Sequence, residues 1–104
     1  MSYEIEIHEA LASEFSDLQQ RGLPKKAVDQ IYDQLERLGE NPSLGRRIIG
    51  GPLEGQMVYE FLVLVRPLAW RVAVLYFYSD DEQRLIVARI GELVDAELRP
   101  LRVP

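Results

Sequence analysis

The chain has 104 residues and a mass of 12.0 kDa, room for one domain built on one core. With 47% apolar and 28% charged residues it is neither a disordered chain nor a membrane-embedded one. The absence of Cys excludes disulfides, thiolate catalysis and cysteine-ligated zinc, and a single histidine, His8, excludes a multi-histidine metal centre, so neither metal nor cofactor is expected. The formal charge of −5 is unevenly spread. Residues 1–45 hold four basic and nine acidic side chains, whereas residues 46–104 hold eight arginines and eight carboxylates. An anion-handling surface is therefore expected in the C-terminal part, where residues 46–71 carry four arginines against two glutamates.

In chain order, Tyr3 to Ile7 alternates apolar and charged residues, the period of a half-buried strand. No secretory leader pattern precedes it and no run of apolar residues is long enough to span a bilayer, which predicts a soluble, cytoplasmic protein. Leu11, Phe15 and Leu18 recur at helical spacing up to Gly22. Val28, Ile31, Leu35 and Leu38 mark a second helix opening at Pro24, with Gly39 as its expected C-terminal cap. Residues 41–55 are punctuated by Pro42, Gly45, Gly50, Gly51, Pro52 and Gly55 and read as loop. Three apolar runs follow, at 58–65, 70–78 and 85–90, separated by connections short enough to make an antiparallel meander. The order is β-α-α-β-β-β: an α+β domain with a two-helix hairpin packed on one face of a small, mainly antiparallel sheet. Residues 1–91 form this domain and 92–104 a C-terminal tail, read as a short helix or an ordered arm.

Strand parity divides the meander into two faces. Tyr59, Phe61, Val63, Trp70, Val72, Val74, Tyr76, Ile86, Ala88 and Ile90 bear no charge and form the face expected under the helices. The opposite face carries Glu60, Arg71 and Arg89 among Leu62, Leu64, Leu75, Phe77, Leu85 and Val87. Two short helices cover only one face, so these six apolar residues predict either a tail folded over them or a partner polypeptide bound there. Pairing Val65 with Trp70 across the 66–69 turn would set Leu75 opposite Glu60. Arg46 and Arg47, beside the glycine-rich loop, are candidates for gripping nucleic acid. His8 is expected to start the first helix rather than to catalyse.

The element order, Asn41-Pro42 with Leu44-Gly45 after the second helix, the 51–55 Gly-Pro-Leu-Glu-Gly loop, the Tyr59 strand, the 70–76 run Trp-Arg-Val-Ala-Val-Leu-Tyr and Ile90-Gly91 together resemble the RelE/ParE toxin superfamily over residues 3–91. The resemblance implies the toxin half of a type II toxin–antitoxin pair: a cytoplasmic growth inhibitor neutralised by an antitoxin, as a dimer or a hetero-oligomer with it. It implies one of two targets, DNA gyrase or mRNA on the ribosome. Arg71 stands where the ribonuclease members keep a catalytic arginine. Glu60 and Leu62 replace their cationic residues on the preceding strand, and Glu92-Leu93-Val94-Asp95 replaces the basic and aromatic residues after the last glycine. Metal-free RNA cleavage needs a base, an acid and a phosphate-stabilising cation, and an arginine can supply only the last. The expected function is a gyrase-type binding toxin. The alternatives are an atypical endoribonuclease using Arg71, Arg89 and Glu60, and a degenerate toxin that only binds antitoxin.

Overall fold

The computed structural model describes residues 2–103; the outer ends of the expected 1–91 and 92–104 segments, residues 1 and 104, lie outside them. The first strand, β1 (Glu4–Ile7), leads into α1 (Glu9–Gln20) and α2 (Lys25–Glu40). His8 is the N-cap of α1, its imidazole Nδ1 accepting from the Ala10 amide at 3.2 Å. Leu11, Phe15 and Leu18, then Val28, Ile31, Leu35 and Leu38, form the buried stripes that the spacing predicts. Gly39 lies inside α2, and Asn41 takes the C-cap position expected of it. A Cβ at Gly39 would lie 2.7 Å from Ile5 Cδ1, so this glycine lets β1 approach the helix.

After a short 3-10 turn at Pro42–Leu44, the expected loop contains a two-residue strand, β2 (Arg46–Arg47). The meander then follows as β3 (Met57–Val65), β4 (Leu68–Ser79) and β5 (Arg84–Val94), and β6 (Glu97–Arg99) closes the chain. The strand order is β1-β5-β4-β3-β2, with β1 parallel to β5 and the other pairs antiparallel; β6 pairs with the far end of β5. The β3–β4 turn is tighter than expected, closing on Arg66-Pro67, whose peptide bond is cis, with Val65 opposite Leu68. Arg71 therefore faces Leu62, and Leu75 faces Val58 instead of Glu60.

Parity holds along β3 and β4 and fails on β5. Leu75 pairs with Arg89 but Tyr76 pairs with Val87, which leaves Ala88 as the extra residue of a β-bulge. One inserted residue reverses facing across it, so the positions before Ala88 lie on the face opposite to the one that unbroken alternation gives them. Leu85 and Val87 consequently join the helix-side core, each fully buried, and Ile86 takes the opposite face across from Phe77.

The tail forms no helix; it is an ordered arm. β5 runs through residue 91 to Val94, turns at Asp95 and Ala96, both at positive φ, and returns as β6. A Cβ at Gly91 would overlap the Arg99 carbonyl oxygen and lie 3.1 Å from Leu98 Cγ. The hairpin thus lies across the second face of the sheet, over Gly91 and its neighbour Ala73. Beyond it, Leu101 enters the main core, and the Arg102 carbonyl accepts from Trp70 Nε1 at 2.8 Å.

Candidate functional site

Hairpin and glycine loop divide the second face into a covered centre and two open ends. Ile48 and Leu53 from the loop bury Val58, Ala73 and Leu75, with Leu93 and Leu98 packed against them. A Cβ at Gly51 would come within 3.2 Å of Ala96 Cβ, so the loop and the hairpin turn meet over this cluster. Of the six residues expected to form one apolar binding surface, Leu75, Leu85 and Val87 are buried and cannot contribute to it. Leu62 at 57%, Leu64 at 50% and Phe77 at 52% remain exposed. The first two lie at the β3–β4 turn end. Phe77 is six residues along β4 from the partner of Leu62, a separation of about 20 Å.

Arg71 is exposed at the Leu62 end, and no described carboxylate lies within ion-pairing distance of it. Glu60 and Arg71 line one hollow with Phe61 and Leu62. Arg71 also borders a second hollow formed with Trp70, Glu92 and Arg102. Both acids are already engaged. Arg46 Nη2 donates to Glu60 at 3.0 Å, and Arg102 Nη2 donates to Glu92 at 3.3 Å. Arg47, the other loop arginine, donates to the Gly55 carbonyl at 2.7 Å and so braces the loop.

Arg89 is not part of this group. It sits opposite Leu75, four residues along β4 and one strand across from Arg71, a separation of about 14 Å with the hairpin between. Its guanidinium acts on Glu14 of α1, whose carboxyl burial holds above the ordinary range while Arg89 works against that shift. The expected trio therefore resolves into Glu60 and Arg71 in one hollow and Arg89 elsewhere. Arg66 in the β3–β4 turn and Arg102 in the tail were not singled out by sequence. Sign alone could have found Arg66 within the arginine-rich 46–71 stretch; nothing local in the sequence brings Arg102 to Arg71.

Chemically, this end of the sheet is an anion-accepting surface with an apolar floor. Arg46, Arg66, Arg71 and Arg102 outnumber Glu60 and Glu92 in a chain whose total is −5. The one imidazole lies away from it: His8 caps α1 beside β1, and β5 and β4 separate β1 from β3. Among the described residues no cluster of acids and imidazoles suited to hold a metal ion occurs, and no helix is long and apolar enough to cross a membrane.

No family model matches the chain, and no curated protein sequence does. The chain is similar to a solved structure of the E. coli toxin RelE, a double arginine-to-alanine mutant in the free state, at 17% identity. The match covers 88% of this chain and 84% of that one, with a TM-score of 0.53. At that identity the likeness is one of architecture, and this two-helix, mixed-sheet α+β chain has a RelE-like fold.

Proposed function

We propose that the protein is the toxin of a type II toxin–antitoxin pair, that it inhibits growth in the cytoplasm by binding a cellular target of the gyrase type, and that an antitoxin silences it. The fold likeness to the RelE toxin supports a toxin in general. The observation that carries binding over cleavage is the solitary state of Arg71. Attack by a ribose 2′-hydroxyl needs a base to take its proton and an acid to protonate the leaving oxygen. Glu60 is paired with Arg46, Arg89 lies about 14 Å from Arg71, and His8 is a helix cap. A lone guanidinium on an apolar floor instead suits contact with an acidic surface.

The atypical ribonuclease reading draws on the hollow shared by Glu60 and Arg71. Controlled expression of the chain in a bacterial host separates the two. Growth arrest with a DNA-damage response and intact transcripts is expected. Arrest with transcripts cut at defined sites, abolished by Arg71→Ala and by Glu60→Gln, overturns the binding reading in favour of cleavage. No arrest from well-folded, soluble protein overturns the toxin assignment and leaves a degenerate antitoxin binder.

A further inference from the structure

β5 leaves β4 part-way along it. Ala73 and Gly91 are the last pair between them, and Glu92–Val94 turn away to pair with β6. The start of β4, residues 68–72, therefore has β3 on one side and, among the described residues, no strand on the other. The direction of its main-chain groups follows from α2. Gln30 closes the outer edge of β3 at Leu64: its Nε2 donates to the Leu64 carbonyl at 2.6 Å, and its Oε1 accepts from the Leu64 amide at 3.0 Å. Leu64 thus turns both groups away from β4, and its partner Ala69 turns its own away from β3. Alternation sends those of Arg71 the same way. Beyond this edge runs the tail, fixed by buried Leu101 and by the Trp70–Arg102 bond. Between edge and tail a hollow of about 320 Å³ stands where a continued β5 would lie. Small-ligand sites begin at about 300 Å³.

Leu68, Leu101 and Val103 supply the apolar wall of the hollow, and Arg71, Arg102 and Glu92 are its ionisable groups. Two cations against one anion leave a formal charge of +1. Glu92 is taken by Arg102, so the surplus cation is Arg71. We propose that this hollow binds a small monocarboxylate with a short aliphatic tail. The carboxylate lies between the Arg71 guanidinium and the outward amides of the β4 edge, and the tail lies against Leu68, Leu101 and Val103. A planar carboxylate accepts both bonds of a guanidinium fork and keeps lone pairs for a main-chain N–H. One negative charge neutralises the hollow, whereas a polyanion would also meet Glu92. The aliphatic tail displaces water from an apolar wall, which a bare anion cannot do. Two sources offer this chemistry, a free short-chain acid and the C-terminal residue of a peptide.

Trp70, the one tryptophan of the chain, lines the hollow and reports its occupancy by fluorescence. Titration of the full-length chain with hexanoate, and separately with acetyl-alanyl-leucine bearing a free C-terminus, should give saturable changes at millimolar ligand. The tighter of the two identifies the source. Hexanamide and the peptide amide should bind about tenfold more weakly, because the charge-assisted bonds are lost. Acetate, which lacks the tail, should also bind more weakly than hexanoate. Shifts of the Ala69 and Arg71 backbone amides in the isotopically labelled chain should accompany the fluorescence change. Arg71→Gln, at an exposed position with no ion pair among the described residues, should keep the unfolding midpoint and weaken binding about tenfold. Val103→Asp, which sets a like charge against the ligand, should weaken it as well. Absence of a saturable change with both carboxylates in the folded wild-type chain overturns the proposal. So does equal binding of the amides, or a short oligouridylate that binds more tightly than either carboxylate. Growth is not read in this experiment, so its result stands apart from the toxin assignment.

Discussion

Replacing Gly91 by Ala should loosen the C-terminal hairpin from the sheet. The new methyl overlaps the Arg99 carbonyl oxygen, with the Arg99 carbonyl carbon at 3.2 Å and Leu98 Cγ at 3.1 Å. Backbone cannot step aside here as a flexible side chain would. The hairpin is closed at Asp95 and Ala96 on one side and anchored by buried Leu101 and the Trp70–Arg102 bond on the other. Overpacking of this kind costs about 1–3 kcal/mol. Lifting the hairpin would also expose part of the Leu75 and Leu98 contact, and full exposure of one such leucine costs about 1.5–3 kcal/mol. The two routes are alternatives, so a loss of about 2–3 kcal/mol is expected from either. For a domain of this size that corresponds to a Tm lowered by about 10 °C or more. Urea unfolding followed by Trp70 fluorescence gives the free energy, and hydrogen exchange at Leu93 and Leu98 reports whether the hairpin opens first. A variant within 2 °C of wild type with unchanged exchange would refute the placement of β6 across the face.

Leu75→Ala should cost about 2–4 kcal/mol because the side chain is 1% exposed, whereas Leu62→Ala, 57% exposed, should stay within about 0.5 kcal/mol by chemical denaturation. Equal costs would contradict the division of the second face. Gly50→Ala meets no atom within 4 Å but forces Ala to φ +78°, so a loss of about 1 kcal/mol is expected without displacement of the loop. Tyr76, fully buried, donates to the Pro42 carbonyl at 2.5 Å, and burial raises its phenol above the ordinary value of about 10. Because the folded value exceeds the unfolded one, this contribution is complete below pH 10 and lost as pH rises through the folded value. Tyr76→Phe should cost about 1 kcal/mol at pH 7 and flatten the alkaline limb of the stability curve. An unchanged alkaline limb would refute a role for its ionisation.

Local pattern placed both helices, the three long strands and the helix-side face of β3 and β4, since periodic burial is written directly into residue spacing. It misplaced the facing of Leu85 and Val87 because a single unpaired residue, Ala88, leaves no mark in composition. It read Gly39 as a cap because a glycine near a helix end usually is one; only the approach of Ile5 gives the true reason. Of the candidate site, parity placed Arg71, Glu60 and Leu62 on one face, but the register that sets Arg71 opposite Leu62 was not legible, because the β3–β4 turn is two residues tighter than its sequence suggests. The Arg46–Glu60 and Arg102–Glu92 pairs and the Gln30 stop at Leu64 join residues distant in sequence, and no periodicity encodes them.

The sequence by itself determined an α+β chain with an acidic helical layer and a balanced, arginine-bearing sheet. These follow from residue type and period. Only the tertiary structure decided which part of the second face stays open. That outcome depends on a bulge, on a glycine that admits β6, and on a loop that meets the hairpin turn. Each is a matter of pairing or packing that residue type and period do not encode, and their joint effect leaves Arg71 exposed while Leu75 lies buried.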